Sequence, residues 1–262
     1  MNIRSLAKNI PALRFLYCWF RIHYFRIMQK HNFQKKEAVR NSDHLYIWQS
    51  SISSEVGIWE SHLNNPTYLE RIKADYIHSP ELAEVLDRFC KVKEIEAIDI
   101  GCGPLSTLPS LDRGLQIHRT LVDPLGSQYD KFRSSLNCDP QNILDYSAEE
   151  ISQHFKLESF DLVYMSNALD HSYDPKKVSQ ERRKLVSLQG VSYLEHFENK
   201  AEKEKFSGLH QWNLFEEKGD LIIADRYKMF SLREILGVGF HVSTKAICRH
   251  GGYVASTAGR LT

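Results

Sequence analysis

The stretch AIDIGCGPLSTL, residues 97–108, decides how this chain is read. It begins as a strand, with apolar residues around a single acid, and then breaks into two glycines flanking a cysteine. Gly101 and Gly103 let the backbone turn tightly and approach a ligand with no Cβ in the way. A dinucleotide fingerprint needs a third glycine three residues further on, where this chain has Ser106, so that pattern fails. Asp99 carries more information than the glycines. A carboxylate at the end of a strand repels a pyrophosphate and attracts a cationic ligand.

Strand and helix signals alternate on both sides of this turn. SPELAEVLDRF (79–89) has Ser79 as N-cap, Pro80 at the first helical position, and Leu82, Val85, Leu86 and Phe89 at helical spacing. IEAIDI (95–100) is a strand, Ser106 to Arg113 is helical or irregular, HRTLVD (118–123) is a strand, and Tyr129 to Leu136 is helical. SAEEISQHF follows, then strand FDLVYMS (160–166), helix PKKVSQERRKLVS (175–187) and strand GVSYLEHF (190–197). The tail, with DLIIADR, KMFSLREIL and GGYVASTAG, reads as late strands around a helix. Strands separated by helix-length segments pair in parallel through crossovers. The expected fold is α/β: a doubly wound, mostly parallel, Rossmann-like sheet over residues 79–262, with a helical N-terminal extension or cap over 1–78.

The 262 residues are 42% hydrophobic with a net charge of +1, so they suffice for one sizeable core and give no electrostatic case for nucleic acid. Cys18, Cys90, Cys102, Cys138 and Cys248 are scattered, with no CxxC pair, which argues for a reducing compartment and against a disulfide framework. Residues 1–36 contain eight Lys or Arg and no acid, interleaved with Phe15, Tyr17, Trp19, Phe20, Tyr24, Phe25 and Phe33. The longest charge-free apolar run there, Phe15 to Phe20, is too short to span a membrane. Such a segment suits a helix docked on its own domain, with arginine stems covering apolar surface, or one lying on an anionic membrane. The expectation is a cytoplasmic protein, with peripheral membrane contact through residues 1–36 as the open alternative.

Asp99 narrows the ligand. S-adenosylmethionine carries an ammonium and a sulfonium and no phosphate, and Asp123, closing the next strand in TLVDP, can accept hydrogen bonds from both ribose hydroxyls of an adenosine. AIDIGCGPLS, LVDP, SAEE, FDLVYMSNALDHSYDP and GVSYLEHF together resemble the class I S-adenosylmethionine-dependent methyltransferases over about residues 80–200. The resemblance implies S-adenosylmethionine as cofactor. It places Asp99, Gly101, Cys102 and Gly103 around the methionine end, Asp123 on the ribose, Ser147 and Ala148 by the adenine, and Asn167 beside the cofactor. Two residues depart from the family pattern. Leu105 stands where a third glycine is common, and Ser147 where an aspartate often meets the adenine amino group.

Methyl transfer from a sulfonium is an in-line displacement, so a group must take the acceptor's proton near the strand tips. Asp170 and His171 in SNALDHSYDP, with Glu195, His196 and His210 further on, are the candidates. A divalent metal gripping a diol through Asp170, Glu195 or neighbouring histidines is an alternative, but no spacing resembles a closed zinc motif and no metal ligand is assigned. SNALDH stands where an N/D-P-P-Y/F-like segment marks base methylation, which favours O-methylation. LDHSYDP, YLEHFENKAE and GLHQWN resemble methyltransferases of bacterial surface-polysaccharide biosynthesis, which implies a sugar hydroxyl or glycan end as acceptor. Competing readings are a catalytically silent domain of the same fold and a dinucleotide-dependent oxidoreductase.

Overall fold

The computed structural model describes residues 41–67, 79–89, 91–133, 141–247 and 252–261. The basic aromatic segment 1–36 lies outside these, as do Cys18, Cys90, Cys138 and Cys248. The chain forms helices α1 (Asn41–Leu63) and α2 (Pro80–Leu86), then strands β1 (Glu94–Ile100), β2 (Leu111–Asp112) and β3 (Leu115–Val122). Helix α3 (Gly126–Arg133), strands β4 (Ile143–Leu144) and β5 (Phe160–Ser166), helix α4 (Pro175–Leu185) and strand β6 (Val186–Phe197) follow. The last part runs through α5 (Lys200–Lys203), β7 (Asn213–Glu217), β8 (Asp220–Ala224), β9 (Met229–Ser231), α6 (Leu232–Leu236), β10 (Phe240–Ile247) and β11 (Tyr253–Arg260).

Among the described residues, β10, β11, β6, β5, β1, β3 and β2 lie side by side in one eight-stranded sheet, with β4 also paired to β3. The strands β4, β3, β1, β5 and β6 are parallel, whereas β11 runs antiparallel to both β6 and β10. The central strands are apolar on both faces, with Ile98, Ile100, Leu162, Val163 and Val191 fully buried, as a sheet covered on two sides requires. The fold is therefore the Rossmann-like, mostly parallel α/β sheet expected from the alternation of elements. The chain moves outward from β1 to β3 and later returns to β5 on the other side of β1. That reversal opens a crevice beyond the carboxyl ends of β1 and β5, where ligands of open α/β sheets bind.

The flanking helices are fastened by polar anchors as well as apolar packing. Ser79 caps α2 by accepting from Leu82 N at 3.3 Å and donates to the buried Glu195 carboxylate at 2.8 Å, while Leu82, Val85 and Leu86 enter the core. On the opposite face the buried Arg182 of α4 donates to the carbonyls of Val163 and Tyr193 at 3.0 and 2.9 Å, joining the helix to β5 and β6. Ser106 to Arg113 forms no helix; it is irregular until β2. Just past β6, Glu198 and Asn199 are buried.

DLIIADR forms a strand as read, but the separate sheet that it joins was not visible in the strand pattern. β7, β8 and β9 form a separate antiparallel three-stranded sheet, and this meander supplies the anchor for α1. His44 of α1 is buried, with Nε2 2.9 Å from Asp225 Oδ2 and its ring 4.6 Å from that of Trp212. Trp212 in turn donates from Nε1 to the carbonyl of Ser172 at 2.9 Å. Among the described residues no helix is long and apolar enough to cross a membrane. Replacing His44 by Ala removes a buried hydrogen bond and leaves a void against Trp212, so denaturant unfolding should show a loss of about 1–3 kcal/mol; an unchanged midpoint would mean that α1 is not anchored there.

Candidate active site

The turn after β1 is built by left-handed glycines. Gly101 and Gly103 have φ of 72° and 60°, values that residues with a Cβ rarely adopt. A Cβ at Gly101 would come within 2.4 Å of the Ala168 Cβ, so the loops after β1 and β5 touch backbone to side chain. Gly101 and Cys102 both donate to the carbonyl of Val122, at 2.7 and 3.1 Å. Asp123, just past β3, accepts from Gly103 N at 3.0 Å and from Leu125 N at 2.9 Å. One carboxylate thus fixes two turns, and each of its oxygens keeps a lone pair for a ligand.

Asp99 is buried and accepts from Ser106 Oγ at 2.6 Å. Burial pushes its carboxyl up to about 7; the Ser106 hydrogen bond and the Arg119 charge bring it down only part of the way, and Asp123 adds repulsion. Burial likewise lifts Asp123 to about 6, against the two backbone hydrogen bonds. Two carboxylates held out of water beside each other are costly when ionised, and a cationic ligand relieves that cost. The donor set therefore fits the ammonium and sulfonium of S-adenosylmethionine.

These residues share one cleft, of about 1050 Å³ counting the part open to solvent. Asp99, Gly101, Cys102, Gly103, Asp123, Ser147, Ala148 and Asn167 all line it, so the fold gathers the whole expected cofactor set in one place. Asn167 holds the loop after β5 in a left-handed conformation, with φ of 50°, and its Oδ1 accepts from Phe197 N at 2.9 Å, tying the tips of β5 and β6. Ser147 caps the short 3₁₀ turn Ala148–Gln153 and donates to Glu149 at 2.6 Å. Glu149, absent from the expected set, also lines the cleft, and its other oxygen accepts from Tyr173 N at 2.9 Å. A second omission is one face of α1. Trp48, Ile52, Glu55 and Trp59 roof the cleft, and their spacing of four, three and four residues was readable as one helical stripe.

The acceptor-side candidates separate into two groups. His171 lines the cleft, and its Nε2 is 3.1 Å from His210 Nδ1, which is 2.8 Å from Asp170 Oδ2. Glu195 and His196 do not line it. Both lie within β6, where successive side chains point to opposite faces of the sheet and not past the strand tip. Glu195 is spent on Ser79 and on the Tyr193 hydroxyl at 2.6 Å. His196 is buried with neither ring nitrogen hydrogen bonded, and burial lowers its pKa to about 3 against the opposing charge of Asp170. Neither residue is placed to take a proton from a ligand in the cleft.

Residues 98–194 match the methyltransferase domain family. No curated protein matches the sequence. Among solved structures, the methyltransferase described as putative in complex with the Haloferax volcanii Trm112 methyltransferase activator is 15% identical, with a TM-score of 0.53 over 80% of this chain and 97% of that one. The Burkholderia thailandensis 1,6-didemethyltoxoflavin-N1-methyltransferase, bound to its substrate and S-adenosylhomocysteine, is 11% identical, with a TM-score of 0.49 over 87% and 93%. A Pyrococcus horikoshii protein is 13% identical, with a TM-score of 0.46 over 76% and 93%. The domain match and the fold together define a methyltransferase-like domain over residues 98–194, set in a mostly parallel, Rossmann-like sheet.

The sign of the Asp99 shift makes a prediction. Its folded pKa lies above the unfolded value of 3.8, so the folded state binds the proton more tightly and stability falls as pH rises from about 4 to about 7. Asp99→Asn should remove that fall and unfold at a higher temperature than the wild type at pH 8, by a stability gain on the order of a few kcal/mol, while losing S-adenosylmethionine binding. Thermal scans at pH 5 and 8 check the first part and calorimetry the second; a variant less stable than wild type at pH 8 would contradict this assignment of Asp99.

Proposed function

We propose that the protein transfers the methyl group of S-adenosylmethionine to a hydroxyl of a small polyhydroxylated acceptor such as a sugar or the end of a glycan. The observation that carries the reading is the cleft itself. At one end lies a pair of buried carboxylates on a glycine turn, and at the other His171 faces the same space with Asp170 and His210 beside it. The cofactor, when bound, supplies an electrophilic methyl group. Asp99 and the turn at Gly101 to Gly103 hold its cationic end, Asp123 its ribose, and Ser147 and Ala148 its adenine.

The chain's further task is to hold the acceptor oxygen in line with the methyl carbon and to strip its proton, because an alcohol stays protonated at neutral pH. The Asp170, His171 and His210 cluster is where that proton leaves, and His171 is its member on the cleft wall. The roof made by Trp48, Ile52, Glu55 and Trp59 excludes water from the transfer. An oxidoreductase reading is disfavoured by the buried Asp99 and Asp123, which would confront a pyrophosphate with two negative charges. A silent domain would have no use for a histidine on the cleft wall backed by a second histidine and a carboxylate.

Calorimetry should show S-adenosylmethionine and S-adenosylhomocysteine binding with micromolar affinity, about −8 kcal/mol, and no NAD binding. Asp123→Ala should weaken both ligands by about 1–3 kcal/mol. His171→Ala should bind them normally yet transfer about 100 to 10,000-fold more slowly to a hydroxylated acceptor found by labelling a cell extract with methyl-labelled cofactor. NAD binding with no response to either sulfur compound would overturn the reading.

A further inference from the structure

The cluster at the acceptor end is poorly explained as a set of hydrogen bonds. His210 Nδ1 lies 2.8 Å from Asp170 Oδ2 and 3.1 Å from His171 Nε2, and His171 Nε2 lies 3.7 Å from Asp170 Oδ2. An imidazole nitrogen carries one hydrogen or one lone pair. If His210 Nδ1 donates to the carboxylate, it has no lone pair for His171, and if it accepts from His171, it leaves the carboxylate facing a second lone pair. Three Lewis-basic atoms thus converge on one point with too few protons among them.

The same triangle suits a metal ion. Ligand atoms about 2.0–2.2 Å from a common ion and at right angles to one another stand about 3 Å apart, close to the 2.8 and 3.1 Å found here, and the 3.7 Å of the third pair calls for a wider angle at the ion. We propose that Asp170, His171 and His210 form a binding site for a divalent first-row transition ion. The site's role as acceptor platform rests on the methyl-transfer reading, but its existence does not. Two imidazoles and one carboxylate on a single face select such ions over magnesium or calcium, which prefer oxygen donors.

Access fits the assignment. The Asp170 side chain is only 5% exposed, whereas those of His171 and His210 are 23% and 27% exposed, so the ion would be backed by protein on the Asp170 side and accessible on the side of the histidines, of which His171 lines the cleft. The ligands are set by backbone hydrogen bonds. His171 N donates to Ala168 O at 3.1 Å, His210 N to Ser207 O at 3.2 Å, and Gln211 N to Asp170 O at 3.3 Å. An acceptor hydroxyl bound there would release its proton to solvent more readily. Its oxygen would form the bond to the methyl carbon as the carbon–sulfur bond breaks, leaving the electron pair on sulfur.

The test uses the full chain stripped with chelator and titrated calorimetrically with Mn²⁺, Zn²⁺ and Mg²⁺. The expected result is one Mn²⁺ or Zn²⁺ per chain, with Mg²⁺ far weaker, and a loss of at least tenfold in affinity in both His210→Ala and His171→Ala. Each variant should still bind S-adenosylhomocysteine as the wild type does, which shows that the fold persists. No stoichiometric uptake by the wild type, or wild-type affinity in both variants, would overturn the site. A chain that takes up no ion yet loses turnover in His171→Ala overturns the metal and leaves methyl transfer standing. A chain that takes up one ion but binds neither sulfur compound supports the metal and overturns methyl transfer.

Discussion

The buried carboxylate of Asp99 is the constraint around which the rest of the structure is arranged. It sits at the end of the central strand with a single hydroxyl donor within 2.6 Å, and burial holds its pKa near 7. A strand end selected only for stability would carry an apolar residue there. The left-handed glycines, the contact of Gly101 with Ala168 and the bonding of Asp123 to Gly103 keep open the space that this carboxylate faces. The α1 roof and the meander that anchors it then close that space from above.

The two ends of the cleft differ in the chemistry of the groups that they present. Asp99 and Asp123 form an acidic end without a full counter-charge, which a cation completes. The Asp170, His171 and His210 cluster gathers three ligand atoms within 4.8 Å of one another, and in the proposed reaction the acceptor oxygen gives up its proton there. The loops after β5 and before β7 supply both sides of that cluster, so one reversal in strand order positions donor and acceptor together.

The central strands were legible because a buried parallel strand leaves an apolar run. FDLVYMS was read as 160–166 and spans those residues, and IEAIDI was short by only one residue. β6 begins at Val186, where the helix reading ran on to 187, because α4 passes directly into the strand with no loop residues between them. The residues that the resemblance placed around the cofactor follow strand ends and all line one cleft. Glu195 and His196 lay inside the strand read as GVSYLEHF, and because pairing with β11 continues to Phe197 their side chains stay on the faces of the sheet instead of reaching past its tip. The role of α1 was hidden for another reason. Its cleft stripe is short, mixed in polarity and far in sequence from the turn it covers, and its anchor, Asp225, lies 181 residues away.

The most direct test is the proton balance of cofactor binding. Calorimetric titration with S-adenosylmethionine at pH 6, in buffers of different ionisation enthalpy, reports how many protons the complex releases. A carboxylate that is protonated in the free protein and ionised beneath a sulfonium and an ammonium should release close to one proton per ligand at pH 6, falling toward none near pH 8. Binding at pH 6 with no proton release would show that Asp99 does not answer the cationic end of the cofactor, and would contradict the account at its centre.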